Sequence, residues 1–260
     1  MTFYGFNNLT KSLALSIYDV CYTKTAREQK DYIAYIDSQY NAGRLTSILR
    51  QVADKIGARV INMSKHEYVP QGASATFLIA QEAMIPQETK IPQGGDTVVA
   101  HLDKSHLAVH TYPECHPANP IATFRVDIDV ATCGDVTPLS TLDFLIGSFD
   151  SDVVTVDYRV RGFTRDTAGN KLFIDHGIAS IQDFIDSRIL ARYEAADVNL
   201  SRSNIFHTRM LVKEVDLQNY LFNADAGDLP AGIRQTIRDS LRREMIEIYN
   251  GAGNDGLSKS

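Results

Sequence analysis

The side chains in this sequence best suited to moving protons fall close together. The segment His101-Leu-Asp-Lys104-Ser105-His106-Leu-Ala-Val-His110-Thr-Tyr-Pro-Glu114 sets one histidine beside a serine and another five residues after it. Imidazole exchanges protons near neutral pH. Side chains alternate faces along an extended strand, so the spacing predicts His110 on the face opposite Ser105. Only a bend or a neighbouring strand then brings His110 to Ser105. The three cysteines are Cys21, Cys115 and Cys133. A thiol of ordinary pKa, about 8.5, is mostly protonated at neutral pH and can act as an acid. Cys133, within Thr132-Cys133-Gly134, and Cys115, beside Glu114, are the two candidates; an inert buried thiol is the ordinary alternative.

Familiar metal and phosphate motifs are absent. There is no P-loop, no His-Glu-x-x-His and no Cys-x-x-Cys. Gly251, Gly253 and Gly256 match Gly-x-Gly-x-x-Gly, but they follow a helical pattern and open none, so the dinucleotide-binding setting is missing.

The elements that must position these groups follow from periodicity. Thr10–Cys21 alternates and reads as a strand. Residues 25–56 carry two helical faces, Tyr32/Ile33/Ile36/Tyr40 and Leu45/Ile48/Leu49/Val52/Ile56, with a break expected at Ala42-Gly43. Strands are predicted at Arg59–Val69, Ser74–Ala80, Thr97–Leu102, His106–Thr111, Ala122–Thr132 and Val153–Val160, and a Pro- and Gly-rich loop over residues 83–96. The strand over Ala122–Thr132 alternates cleanly, with Phe124, Val126, Ile128 and Val130 on one face. Helices are predicted at Leu139–Phe149, Ile178–Tyr193 and Ala231–Tyr249, followed from Gly251 by a tail expected to be disordered. Mixed strands and helices of this kind predict an α+β fold of helices packed on antiparallel sheet.

The 260 residues are 44% hydrophobic and 22% charged, the balance of a soluble globular protein. No stretch approaches the roughly 20 apolar residues that span a bilayer, and the first residues lack the pattern of a secretory signal. Three scattered cysteines do not make a disulfide framework, and a reducing cytoplasm is the natural setting. A net charge of −6 argues against nucleic acid as partner.

Three blocks occur in a telling order: Tyr68-Val-Pro70-Gln-Gly72-Ala-Ser74, then Ser105-His106…His110-Thr-Tyr-Pro-Glu114, then Thr132-Cys133-Gly134. Together they resemble bacterial S-adenosylmethionine decarboxylase. Gly5-Phe-Asn-Asn-Leu-Thr-Lys-Ser, Asp157-Tyr-Arg-Val-Arg-Gly-Phe-Thr-Arg-Asp166 and Asn204-Ile-Phe-His-Thr208 extend the likeness over residues 4–250, toward the long-chain form of Gram-negative bacteria.

The resemblance implies a single proenzyme domain, 1–260, cut at Lys104–Ser105 into a β chain, 1–104, and an α chain, 105–260, headed by a pyruvoyl group made from Ser105. It implies an α+β sandwich and a Schiff base between that group and S-adenosylmethionine, whose decarboxylation yields the aminopropyl donor for spermidine synthesis. Ser74 and His110 would act in processing, the serine polarising the Lys104 carbonyl and the imidazole transferring protons. Cys133, the thiol of the Thr-Cys-Gly block, would be the proton donor in turnover. Tyr68 takes the place of an adenine-stacking aromatic, and Tyr4 and Phe6 are further aromatic candidates. Glu114 is a candidate for substrate contact or for ordering the cleavage strand, and His106 has a structural and a functional reading of equal weight. Association into an (αβ)4 homo-oligomer and stimulation by Mg2+ are further implications of the long form. Two alternatives share many of the same residues: a pyruvoyl decarboxylase of ornithine or arginine, and a non-catalytic activating subunit, against which the intact Lys104-Ser105 pair argues.

Overall fold

The computed structural model describes residues 2–5, 7–81 and 105–252. The expected loop over residues 83–96, the strand over Thr97–Leu102, Phe6, Lys104 and the tail from residue 253 lie outside these.

Eight strands form one antiparallel sheet: β1 (Thr10–Tyr22), β2 (Ala58–Glu67), β3 (Ala73–Gln81), β4 (Ser105–His116), β5 (Asn119–Cys133), β6 (Val153–Arg161), β9 (Tyr193–Asp197) and β10 (Ile205–Val212). Their order is β2-β3-β4-β5-β1-β6-β10-β9, and β7 (Thr164–Arg165) and β8 (Lys171–Leu172) make a separate ribbon. The alternation of β5 holds: Phe124, Val126, Ile128 and Val130 are buried, as are their cross-strand neighbours Leu13, Leu15 and Ile17 of β1 and Leu107 and Val109 of β4. Each such side chain contributes about 1.5–3 kcal/mol when taken from water.

Two helices cover this face. In α1 (Ala26–Gln39), the Thr25 hydroxyl accepts from the Glu28 N–H while the Glu28 carboxylate accepts from the Thr25 N–H, and Tyr32 and Ile36 are buried. In α2 (Ala42–Lys55), Leu45, Ile48, Leu49 and Val52 pack over β2, β3 and β4. The break expected at Ala42-Gly43 falls just earlier. Asn41 caps α2 by accepting from the Arg44 N–H at 3.0 Å, so both residues join its first turn. The other face is covered only in part, by α5 (Ala231–Asn250) across β1, β6 and β10. There Arg209 of β10 donates to the Tyr249 carbonyl at 3.0 Å. The rest of that face stays polar and open.

Two expectations are corrected. Leu139–Phe149 is a 3-10 turn, Pro138–Thr141, followed by a short α3 (Leu142–Gly147). Ile178–Tyr193 is not one helix. A 3-10 turn at Ile181–Phe184 ends where Asp186 takes an extended backbone and caps α4 (Ser187–Leu190), and Tyr193 already begins β9. The last third therefore supplies two strands of the sheet as well as α5. Edge strand β2 has a register shift between Val60 and Asn62 against β3 and is mostly exposed.

Near the Tyr22 end of β1, Asp19 and Asp152 form a buried acid pair beside a cavity of about 1000 Å³ that also meets Tyr32, Tyr35, Arg192 and Tyr220. Burial, reinforced by the Asp152 charge, pushes Asp19 up. Burial also raises Asp152, although the Tyr220 hydroxyl and the Val20 N–H donate to it at 2.6 and 2.8 Å. Carboxyls raised in the folded state add stability at low pH that is lost as pH climbs through their raised values. In urea titrations, Asp19→Asn is therefore expected to gain on the parent protein steadily as pH rises above about 4, the ordinary carboxylate range. A difference independent of pH would refute this account of the pair.

Candidate functional site

The residues singled out for chemistry gather on β3, β4 and β5, the centre of one half of the sheet. Ser105 is the first residue of β4 and is 5% exposed. It pairs with Ile79 of β3, and Leu107 and Val109, on its side of the strand, lie in the helix-covered core. His106 and His110 point to the opposite, open face. His110 is thus on the other side of the strand from Ser105 and about 16 Å along it, at 3.3 Å per residue. Within one chain the structure does not bring the two together.

It does bring Ser74, His110 and Tyr68 together. Ser74 of β3 is the cross-strand partner of His110, and the Tyr68 hydroxyl lies 3.3 Å from His110 Nδ1. The tight connection before β3 sets this register. The Gly72 N–H donates to Asp37 at 2.9 Å, the Ala73 N–H donates to the Thr111 hydroxyl at 2.7 Å, and that hydroxyl donates back to the Ala73 carbonyl at 3.2 Å. Gly72 has φ +93°, and a Cβ there would sit 2.6 Å from the Thr111 carbonyl oxygen.

Sequence reasoning missed two neighbours of this group. Asp127 of β5 pairs with His110 from the other side, giving a Ser74–His110–Asp127 row, and the Tyr112 ring stacks on the imidazole with centroids 6.4 Å apart. Arg125 lies over Tyr112 and pairs with Asp127 at 3.3 Å. The alternation of Arg125, Asp127 and Asp129 marked their face but not their partners, which only the register supplies.

Cys133 ends β5 opposite Thr10, with Sγ 3.9 Å from the Thr10 hydroxyl. It shares the open face with His106, whose partner Ala131 is two residues away on β5. Burial lowers the His106 pKa, Asp129 opposes this, and Arg161 adds to the lowering. The His106–Ala131 pair lies one residue from Ser105 and two from Cys133. The Cys133 turn and the start of β4 therefore adjoin. Cys115, the rival thiol, lies ten residues farther along β4, where burial, with help from Glu114, raises its pKa. Glu114 is exposed and acts on Glu244 of α5, at the far end of the strand from Ser105. Tyr4 is 74% exposed and Phe6 lies outside the described residues.

The large acidic cavity is not this site. Asp19 is nine positions along β1 from Thr10, toward the opposite end of the sheet. Among the described residues, no group of three or more His, Cys, Asp or Glu side chains is placed to hold a metal ion, and no helix is long and apolar enough to cross a membrane.

A sequence model described as S-adenosylmethionine decarboxylase matches residues 37–162. The S-adenosylmethionine decarboxylase proenzyme of Clostridium beijerinckii is 62% identical over 257 residues, covering 95% of each chain. That of Alkaliphilus oremlandii is 59% identical over 259 residues, covering 96% of each. The crystal structure of the adenosylmethionine decarboxylase from Aquifex aeolicus is 17% identical, covering 66% of this chain and 99% of that one, with a TM-score of 0.34, too low to bear on the fold. The sequence relatives are decarboxylase proenzymes. The chain belongs to the S-adenosylmethionine decarboxylase family.

Gly72→Ala is expected to cost about 1–3 kcal/mol in urea denaturation, from a left-handed backbone that a side chain resists. It is also expected to slow self-cleavage, followed by intact mass, because the Ser74–His110 pairing depends on this turn. Parent-like stability and cleavage together would show that the turn does not set the register.

Proposed function

We propose that this chain is a proenzyme that cleaves itself at Lys104–Ser105 and then decarboxylates S-adenosylmethionine to S-adenosylmethioninamine, an aminopropyl donor for spermidine synthesis. The observation carrying the proposal is the arrangement around β4: Ser105 opens the strand, His110 farther along it pairs with Ser74 of one neighbour, and the Cys133 turn ends the other.

In processing, the Ser105 hydroxyl attacks the Lys104 carbonyl and converts the amide to an ester. Ser74 polarises that carbonyl. Loss of the Ser105 α-proton, taken by His110, expels Lys104 as a carboxylate, and the dehydroalanine left behind hydrolyses to a pyruvoyl group and ammonia. An amide is more stable than an ester, so the surroundings must hold the developing oxyanion. A residue at the head of a strand, 5% exposed and beside the Cys133 turn, fits the position of such a group.

The pyruvoyl carbonyl, joined to the substrate amine, supplies the electron sink that decarboxylation needs. The protein must then deliver one proton to the substrate α-carbon, and Cys133 Sγ is its source. Tyr68 offers an aromatic face to the adenine and the sulfonium. Mg2+ enters this reading as an activator, with no ligands assigned to it.

The distance from Ser105 to His110 adds a requirement. Tyr68, Ser74 and His110 would therefore act on the Ser105 of a second copy, so self-association completes the site. A cytoplasmic setting accords with the scattered thiols.

Ser105→Ala is expected to leave a single chain by intact mass, whereas Cys133→Ala cleaves but loses at least about tenfold in CO2 release from S-adenosylmethionine. Ornithine or arginine turned over in place of S-adenosylmethionine would overturn the substrate assignment. A His110→Ala chain is expected to stay intact when made alone and to be cleaved when co-produced with a Ser105→Ala chain. Full cleavage alone, or none in the mixture, refutes action between copies.

A further inference from the structure

Behind the Cys133 turn lies a buried charge that the chemistry above does not use. Lys11 of β1 is 1% exposed, and lysine is almost never found so deep. Its ammonium donates to Asp175 at 2.6 Å and to the Gly134 carbonyl at 2.7 Å. Gly134 directly follows Cys133. Two more bonds hold the same turn: the Gly134 N–H donates to the Leu9 carbonyl at 3.0 Å, and the Thr132 hydroxyl donates to the Val136 carbonyl at 3.0 Å. Gly134 itself has φ +71°, which a glycine adopts without strain.

Asp175 is gripped in turn. Asn7 donates to it at 2.6 Å, His176 Nδ1 lies 2.6 Å from its other oxygen, and His176 Nε2 lies 3.1 Å from the Tyr158 hydroxyl. Burial opposes ionisation of Asp175, but hydrogen bonds from His176, Lys11 and Asn7 outweigh it and hold the carboxyl well below the usual range. Side chains from three separate stretches of sequence thus support the one ammonium that holds this backbone carbonyl.

Stability alone does not account for this arrangement, since a buried ion pair is often matched or bettered by apolar residues of the same shape. What the ammonium provides, and a methylene chain does not, is a directed bond to the peptide next to Cys133. Lys11 lies on the covered side of the sheet and Cys133 on the open side, so the backbone between them is the pivot. We propose that Lys11 is a positioning residue for turnover: held by Asp175, it fixes the Gly134 carbonyl and so aims the Cys133 thiol at the substrate carbon. The inference rests on Cys133 as proton donor. Displacing a reacting group by about 1 Å can cost about 100-fold in rate.

The test uses Lys11→Met and the double variant Lys11→Met/Asp175→Asn, which removes both charges with little change of shape. Self-cleavage is read by intact mass, stability by melting, turnover as kcat and KM, and the thiol by the alkylation rate of Cys133 with iodoacetamide in substrate-free processed protein, with Cys115 as internal reference. The double variant is expected to regain most of the melting temperature lost by Lys11→Met. It is also expected to keep a kcat lowered about 10- to 100-fold at little-changed KM, with Cys133 alkylation altered several-fold and Cys115 unchanged. Parent-like kcat, or unchanged Cys133 alkylation, in the cleaved double variant overturns the proposal. If these variants misfold, His176→Gln, at a side chain 20% exposed, decides: a several-fold fall in kcat with a shift in Cys133 alkylation supports the proposal, and parent values in both overturn it. Parent-like turnover by Cys133→Ala would instead remove the proton donor itself, a failure distinct from that of Lys11.

Discussion

The pairing register of β4 between its two neighbours is the constraint on which the rest of this structure depends. A strand's side chains alternate, so one slip in register would move every one of them to the other face. In the observed register, Leu107 and Val109 enter the core, and burial of that face fixes the pairing far more firmly than the polar face does. The hydrophobic pattern therefore also places the chemistry. Once Leu107 and Val109 are committed inward, His106 and His110 must face outward, toward Ser74 on one side and Ala131 and Asp127 on the other.

Along β1, the ionisable side chains on the covered face sit near its ends and not in its middle. Lys11 sits at the start of β1 and Asp19 near its finish, while Leu13, Leu15 and Ile17 fill the interval. At the first end, opposite charges and several donors surround each other, and the carboxyl is held ionised. At the second, two acids face each other and burial favours their protonated forms. Carboxyls near the two ends of β1 are thus shifted in opposite directions by the groups that surround them.

Much of this was legible in the sequence, for a physical reason. Strands with one buried and one polar face, such as β5 and β1, declare themselves by period-two alternation, and the long amphipathic helices by their spacing. The separation of Ser105 from His110 across the strand followed from the same rule. The segment from Ile178 to Tyr193 misled because its apolar residues fall at helical intervals although the chain turns at Asp186, a capping residue that ends one short turn and opens the next. Strands β9 and β10 were missed because β10 is buried on both faces near its end, so Met210, Leu211 and Val212 form a run and not an alternation. The site was legible by its motifs and not by its neighbours. Nothing in the spacing of Asp127, Tyr112 or Lys11 reveals that the first two flank His110 or that the third holds Gly134.

An open sheet also has rims, and here the outer strand on one side is β2. Arg59, Lys65, His66 and Glu67 along it carry charged or ionisable groups, and its pairing is interrupted between Val60 and Asn62. Charge and irregularity at an edge discourage further strands from adding to it. Growth of the sheet sideways into fibres is thereby opposed along this rim.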